Sequence, residues 1–244
     1  ARDGGLGIAR LRRRLPGLAR PAHGALVNPG GKTAVISVNA PAPGYAARSS
    51  EDLLDVLALG VLSGGGAHAL FMRTWAAGLA YSNGLSHHAY SREASYYAER
   101  CPEPSRTLDF VAGVAAAAKA DPGLMEYSLS GAFRDYRADG DFSGRGASLA
   151  ADLEDGRTPA LVRGYKSALL RLARAPGTAR RVNARLRKTL GRVLIGMPGG
   201  RVAGPRSGAF MVAPDGLIGP YETWLKGKGE ADSVVRLYPS DFWP

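Results

Sequence analysis

The chain has 244 residues, of which 45% are hydrophobic and 8% are aromatic. A globular chain of this length can bury a sizeable core in one or two domains. No apolar run approaches the roughly 20 residues that a membrane-spanning helix needs, so we do not expect a transmembrane segment. The single cysteine, Cys101, rules out an intrachain disulfide and leaves the cellular compartment undetermined.

The formal net charge is +11, and it is unevenly distributed along the chain. No acidic residue occurs between Asp155 and Asp215, while basic residues crowd the middle of this interval. They are Arg163, Lys166, Arg171, Arg174, Arg180, Arg181, Arg185, Arg187, Lys188 and Arg192. Such a run is typical of a solvated helix face, and it also suits an acidic partner domain, an anionic surface or a nucleic acid. Because the interval has only two aromatic residues, Tyr165 and Phe210, nucleic acid is not the favoured partner.

The first 22 residues differ in character from the rest of the chain. They contain several arginines between Arg10 and Arg20, with Gly and Pro among them, which is typical of a linker. The chain begins without a methionine or an apolar signal-peptide core, so we expect it to be part of a longer protein. The sequence thus predicts a basic linker, or the tail of a preceding domain, over residues 1–22 and one domain over residues 23–244.

The first half of this domain combines predicted strands and helices. The side chains of residues 33–39 alternate in polarity and many are β-branched, which predicts a strand. A helix is expected from Ser49, since Ser49 or Ser50 can cap it, and the glycines at 64–66 end it. A second, short helix is predicted from His68 to about Ala76. A pair of strands follows, over residues 79–83 and 94–100.

The second half is predicted to be mostly helical. Apolar residues recur at helical spacing in four segments, which begin near Pro104, Leu124, Pro159 and Thr178. Thr158 is the expected cap of the third, with Pro159 at its first helical position. The predicted order then closes with a strand at 208–213, a helix at 221–226 and a strand at 233–238. Because this order does not make regular βαβ units, the predicted fold class is α+β, with an antiparallel sheet covered by helices.

The sequence contains no motif for independent catalysis. It lacks H-E-x-x-H, H-x-x-E-H and G-x-S-x-G, and Cys101 precedes Pro102 without a recognisable nucleophile context. His87 and His88 are adjacent, and adjacent side chains on a strand point to opposite faces, so they cannot chelate one ion together. We therefore predict no catalytic and no metal-binding residue in this chain, and whether the complete protein is an enzyme stays open.

Three short motifs carry a resemblance to a known family. Residues 73–84 read R-T-W-A-A-G-L-A-Y-S-N-G, residues 98–102 read A-E-R-C-P, and residues 236–243 read R-L-Y-P-S-D-F-W. In this order they resemble the C-terminal, non-zinc-binding domain of the pitrilysin/insulinase-type (M16) zinc peptidases. The resemblance extends over nearly the whole chain and implies the α+β fold of the LuxS/MPP-like metallohydrolases.

The resemblance also implies two substrate-binding residues, Arg73 and Tyr81. In M16 peptidases one domain carries an H-x-x-E-H zinc site, and another brings an arginine and a tyrosine across the chamber. A guanidinium and a tyrosine hydroxyl can donate hydrogen bonds to carbonyl oxygens of the substrate backbone. Arg73 and Tyr81 are eight positions apart, where the family typically has seven. Zinc is accordingly expected in a partner domain and not in this chain.

The function predicted from the sequence is that of a non-catalytic, substrate-holding domain of an M16-type zinc metallopeptidase. Its expected partners are a zinc-bearing M16-like domain, fused or separate, and an extended peptide substrate. A first alternative is a degenerate M16-like scaffold that binds peptide or protein without proteolysis. A second alternative is binding of an anionic polymer, such as nucleic acid, through the basic helices of residues 163–192.

Overall fold

The computed structural model describes Arg13 and residues 23–64, 69–134, 142–154, 156–202, 206–231 and 234–241. Apart from Arg13, the predicted linker over residues 1–22 lies outside the described residues. The expected start of the second helix at His68 and the last two residues of the R-L-Y-P-S-D-F-W motif lie outside them as well. In the part of the chain that is described, no helix combines the length and the apolar character required to cross a bilayer.

Six strands form one sheet in the order β3-β4-β2-β5-β1-β6. They are β1 (His23–Val27), β2 (Ala34–Pro41), β3 (Ser82–His88), β4 (Glu93–Cys101), β5 (Gly208–Ala213) and β6 (Val235–Leu237). Neighbouring strands are antiparallel from β3 through β4 and β2 to β5. Strand β1, in contrast, is parallel to both β5 and β6.

The described residues form the predicted helices in the predicted order, together with one helix that was not predicted, Phe142–Glu154; the helix predicted at 221–226 begins earlier, at Asp215. The helices are α1 (Ser50–Ser63), α2 (Leu70–Ala76), α3 (Pro104–Ala116), α4 (Pro122–Arg134), α5 (Phe142–Glu154), α6 (Pro159–Arg174), α7 (Thr178–Leu190) and α8 (Asp215–Lys228). A short 3₁₀ turn, Pro239–Asp241, follows β6. The predicted α+β fold class is confirmed.

The parallel pairings arise where the chain returns to the sheet near its end. Strand β5 leads through α8 to β6, and β1 lies between these two strands. This arrangement is a split βαβ unit, in which the helix provides the long connection that parallel strands require. The sheet is therefore antiparallel over its larger part and parallel at the edge formed by β1 and β6.

The predicted strand at 79–83 is displaced in the structure. Leu79 and Ala80 are buried, yet they lie in the turn before β3, where the Leu79 amide donates to the carbonyl of Thr74 at 3.2 Å. Strand β3 begins only at Ser82 and continues to His88. The apolar residues that suggested a strand therefore anchor a turn instead, while the polar run after them pairs with β4.

Helices cover one face of the sheet. Along β2, Ala34, Ile36, Val38 and Ala40 are buried, and the residues between them are partly or well exposed. Helix α1 lies at the centre of the helical layer, with almost its whole length buried, and it packs against β3, α4 and α7. The opposite face of the sheet is not covered by any element among the described residues, and Val35 on that face is 42% exposed.

Side chains predicted to start two helices do so in the structure. The hydroxyl of Ser49 accepts a hydrogen bond from the amide of Asp52 at 3.1 Å, at the start of α1. The hydroxyl of Thr158 accepts one from the amide of Leu161 at 3.2 Å, and Pro159 occupies the first turn of α6. Each cap contributes about 1 kcal/mol to helix stability.

A buried carboxylate joins α1 to α7. Asp55 is 3% exposed, and one of its oxygens accepts hydrogen bonds from Arg185 Nε at 2.8 Å and from Thr189 Oγ1 at 2.5 Å. The other oxygen accepts from Arg185 Nη2 at 3.1 Å and from Arg192 Nη1 at 3.0 Å. Arg185 also pairs with Glu51, one turn earlier in α1. Two of the ten basic residues of the 163–192 run are therefore structural.

Replacing Asp55 by Ala should lower the free energy of unfolding by about 3–5 kcal/mol, because Arg185 would lose its buried partner. Urea unfolding followed by circular dichroism measures this change. Arg106→Ala is the matched control, since Arg106 pairs with Glu103 on the surface, and its loss should cost at most about 1 kcal/mol. Equal effects of the two substitutions would contradict the structural role of Asp55.

A second buried titratable group lies at the start of β1. His23 is 1% exposed, and neither of its ring nitrogens has a hydrogen-bond partner among the described residues. Burial, and to a smaller extent the charge of Arg201, lowers the pKa of His23 to about 4 from its ordinary value of 6.5. The native state therefore holds His23 neutral at pH values where the unfolded chain protonates it.

The stability of the protein should consequently fall as the pH drops from about 6.5 towards 4. In this pH range the unfolded state binds a proton at His23 that the native state does not bind. The stabilisation by neutral, buried His23 is therefore fully present above about pH 6.5 and is lost as the pH falls. Between pH 7.5 and 4.5, wild type should lose about 2–3 kcal/mol more unfolding free energy than His23→Leu. Urea titrations of both proteins at the two pH values measure the difference. The same pH dependence in both would show that His23 does not contribute.

Candidate functional site

The turn between α2 and β3 carries both predicted substrate-binding residues. Helix α2 is anchored by a buried hydrogen bond in which Asn83 Nδ2, on β3, donates to Thr74 Oγ1 at 2.9 Å. Thr74 in turn donates to the carbonyl of Leu70 at 2.8 Å. Gly78 adopts a φ of 68°, a left-handed conformation that glycine reaches without strain, and the chain reverses there. These contacts fix the position of Tyr81 just before β3.

Arg73 and Tyr81 lie at the two ends of this turn. Arg73 is in the last turn of α2 and is exposed, and Tyr81 is 60% exposed. Within the described part of the chain, neither a hydrogen bond nor a ring contact joins the two side chains. The structure thus places both residues on the surface near the same turn and does not bring them into direct contact.

The side chain that does contact Tyr81 is Arg100 of β4. The guanidinium carbon of Arg100 lies 4.6 Å from the centroid of the Tyr81 ring, which is the distance of a cation–π contact. The Tyr81 amide also donates to the carbonyl of Glu99 at 2.9 Å, so the backbones of the two segments are held together here. Sequence analysis did not single out Arg100, although it lies within the A-E-R-C-P motif.

A β-bulge creates this contact. Strand β2 advances two residues from Ala34 to Ile36, while β4 advances three, from Cys101 to Ala98, so one residue of β4 is extra. Arg100 has a φ of 52°, in the left-handed region that non-glycine residues rarely occupy. Bulges increase the local twist and redirect side chains, and they are frequent beside functional sites.

Helix α2 adds apolar surface beside Arg73. Phe71, Met72 and Trp75 are 38%, 40% and 55% exposed, although each has a large hydrophobic side chain. Phe71 and Trp75 are four positions apart and therefore lie on the same side of the helix. The region around the turn thus presents cationic groups, a tyrosine hydroxyl and apolar side chains together.

The open face of the sheet is shallow. One cross-strand row contains, in order, Gly24, Phe210, Ser37, Tyr97 and Gly84. A Cβ atom at Gly84 would lie 2.9 Å from the Tyr97 ring, and one at Gly24 would lie 3.2 Å from the Phe210 ring. The two rings therefore lie low over neighbouring glycines. Since the row has no bulky upright side chain, an extended segment could approach the sheet closely here.

The described residues do not fit a metal site. No group of three His, Cys, Asp or Glu among them could hold a metal ion. His87 Nε2 lies 2.7 Å from the carbonyl of Pro43, and the ring of His88 packs against that of Tyr90. Cys101 is buried, and burial raises the pKa of its thiol to about 11. The thiol is therefore protonated at neutral pH and is not an activated nucleophile.

The first residue of the terminal motif R-L-Y-P-S-D-F-W has a structural role. Arg236 of β6 pairs with Asp215 at 2.5 Å and with Glu222 at 3.4 Å, and both carboxylates belong to α8. The Tyr238 amide donates to the Asp241 carboxylate at 2.7 Å. These contacts tie the end of the chain to α8, so this part of the motif supports the fold and does not belong to the turn around Tyr81.

The basic residues of α6 and α7 form a separate surface, which we call the basic stripe. Seven of them are exposed and form no ion pair with any carboxylate that the structure describes. They are Arg163, Arg171, Arg174, Arg180, Arg181, Arg187 and Lys188. On each helix the spacing of these exposed cations places them on one side, opposite the buried apolar side that includes Leu169 and Leu186.

Comparison with solved structures relates this fold to known proteins. It is similar to the inactive domain of an M16 peptidase from Pseudomonas fluorescens, with a TM-score of 0.51 and 12% identity over 80% of this chain and 44% of that one. A protease from Helicobacter pylori aligns with a TM-score of 0.49 and 14% identity, over 80% of this chain and 45% of its own. A conserved protein from Enterococcus faecalis V583 aligns with a TM-score of 0.46 and 15% identity, over 87% of this chain and 50% of its own.

The likeness establishes the fold, which is that of an inactive M16 peptidase domain. The chain spans half or less of the length of these three proteins. Neither a protein-family model nor a curated protein matches its sequence.

Proposed function

We propose that the chain is a non-catalytic domain of an M16-type zinc metallopeptidase and that it holds extended peptide in a chamber completed by a zinc-bearing domain. The observation that carries this proposal is the fold shared with the inactive M16 domain of Pseudomonas fluorescens over 80% of the chain. The described residues supply no group of metal ligands. The proposal accordingly assigns the zinc to the partner domain, fused or separate.

In this proposal Arg73 and Tyr81 bind the peptide backbone. Both are exposed, and the Thr74–Asn83 hydrogen bond holds the turn that carries them. A guanidinium and a phenol donate hydrogen bonds to carbonyl oxygens whatever the peptide sequence, so one site can serve varied substrates. The apolar side chains of α2, with Trp75 the most exposed, would contact substrate side chains.

Tyr81→Phe and Arg73→Ala should each lower kcat/KM for chelator-sensitive peptide cleavage by the complete protein. We expect losses of about 10–100-fold, since each substitution removes a donor to the substrate. A fluorogenic peptide library measures the rates. Tyr90→Phe is the matched control for Tyr81, because it removes the hydroxyl of a similarly exposed tyrosine, at 57%, from the β3–β4 turn. Unchanged kcat/KM in both Arg73→Ala and Tyr81→Phe would refute the substrate-holding role.

A degenerate scaffold is the nearest alternative, in which the partner domain has also lost its zinc and the assembly only binds. The same fold and the same exposed turn suit this function equally. Elemental analysis of the complete protein, with cleavage assays with and without chelator, separates the two. Bound zinc with chelator-sensitive cleavage supports the peptidase. Peptide binding without zinc and without cleavage supports the scaffold.

The basic stripe favours a second candidate function, the binding of an anionic polymer. Its cations lack acidic partners among the described residues, so their charge is available to a phosphate backbone. The described surface of α6 and α7 offers no exposed aromatic side chain for base stacking. Any such binding would therefore be electrostatic and independent of sequence.

Binding of a fluorescein-labelled 20-base-pair DNA tests this second function. Replacing Arg180, Arg181 and Arg187 by Gln should reduce the slope of log Kobs against log salt by about 3, at about 0.9 for each lost phosphate contact. Fluorescence anisotropy at several salt concentrations measures the slope. The control removes the same charge elsewhere, at Lys32, Arg106 and Lys226. If both triple variants changed the slope equally, the binding would reflect net charge only.

A further inference from the structure

We propose that Arg100 is a further ligand-binding residue and that it forms, with Tyr81, a cation–π pair that binds a carbonyl or carboxylate group of a peptide. This inference rests on the proposed function and extends it by one residue that the M16 resemblance does not assign. It follows from the contact between the two side chains, the backbone conformation of Arg100 and the exposure of both residues.

The contact with Tyr81 restrains the guanidinium of Arg100. Its central carbon lies 4.6 Å from the centroid of the Tyr81 ring. The five N–H donors of a guanidinium lie in its plane and point outward from its edge. A guanidinium that contacts one ring therefore keeps donors available to a ligand while its position is restrained, and less entropy is lost when a ligand binds.

The carbonyl and carboxylate class follows from the donors present. Arg100 and Tyr81 supply N–H and O–H donors, and planar acceptors such as carboxylates match a guanidinium edge with two parallel hydrogen bonds. No carboxylate among the described residues pairs with Arg100. Glu99, which precedes it, uses its backbone carbonyl to accept from the Tyr81 amide. The acceptor that completes the pair would thus come from a ligand.

The backbone conformation of Arg100 is costly and is not offset by burial. A left-handed conformation costs roughly 1–2 kcal/mol for a residue with a side chain, and glycine would avoid most of that cost. Arg100 is exposed, and its neighbour Tyr81 is 60% exposed, so the strained residue contributes little to the core. Strained exposed residues are concentrated at functional sites. The bulge lies between the buried residues Ala98 and Cys101 and directs the Arg100 side chain to the surface, where a ligand can reach it.

Arg92 provides an internal comparison for this argument. It also has a positive φ, of 58°, but it lies in the turn between β3 and β4, where a tight reversal requires that conformation. Its carbonyl accepts a hydrogen bond from the Ala42 amide at 2.9 Å, and its side chain packs beside Gly44. Both positive φ values thus belong to a defined backbone feature, a bulge at Arg100 and a turn at Arg92, and the two exposed arginines form a matched pair for mutation.

Equilibrium binding of labelled peptides to the complete protein tests the inference. The probes are a fluorescein-labelled alanine-rich decapeptide with a free C-terminal carboxylate and the same peptide with a C-terminal amide. Chelator is present throughout, so the measurement does not depend on cleavage. Arg100→Gly removes the guanidinium and the strain together, and Arg92→Gly removes a second arginine at the same kind of backbone position.

We expect Arg100→Gly to raise Kd about tenfold or more, because a charged hydrogen bond is lost, while Arg92→Gly leaves Kd unchanged. The Tm of Arg100→Gly should be unchanged or about 2–4 °C higher, as the backbone strain is released. An effect confined to the free-acid peptide would identify a C-terminal carboxylate as the ligand group. An equal effect on both peptides would identify backbone carbonyls.

An unchanged Kd in Arg100→Gly would overturn the inference. If Tyr81→Phe or Arg73→Ala still weakened binding in that case, the proposed substrate-holding function would stand without Arg100. A lower Tm with unchanged Kd would show that Arg100 is structural. If wild type bound neither peptide, the inference and the peptide-holding function would both fail.

Discussion

The helical layer depends on one buried carboxylate. Asp55 accepts four hydrogen bonds from three side chains of α7 and the segment after it, and so fixes α7 against α1 at a single point. A buried charge is tolerated only when its partners satisfy it in full, and here two arginines and a threonine do so. Because α1 in turn packs against β3 and against α4, this contact helps to position α7 within the helical layer.

The network also divides the basic residues into two groups with different roles. Arg185 and Arg192 pair with Asp55 and neutralise it, whereas the cations of the basic stripe are exposed and have no carboxylate partner among the described residues. A high positive charge therefore does not by itself indicate an anionic partner. Part of it balances a buried acid, and only the remainder can act on a ligand at a distance.

The candidate peptide site does not include this network. Its three side chains are exposed and lie on irregular parts of the chain. A short helix, a glycine turn and a bulge present Tyr81, Arg73 and Arg100 at the surface. The buried Thr74–Asn83 hydrogen bond supports them from below. A rigid sheet that carries exposed donors on its irregular ends suits a domain that holds a substrate while another domain performs the chemistry.

The sequence by itself determined most of the helices, the helix caps at Ser49 and Thr158, and the α+β class, because apolar periodicity and capping are local properties; helix α5 was not predicted. It did not predict β1, which is short and pairs with strands near the other end of the chain. It also placed the first strand of the β3–β4 pair too early, since buried Leu79 and Ala80 are as apolar as strand residues. The Arg100–Tyr81 contact was decided only by tertiary structure: it depends on the register of β4 against two neighbours and on one extra residue, which no local pattern encodes.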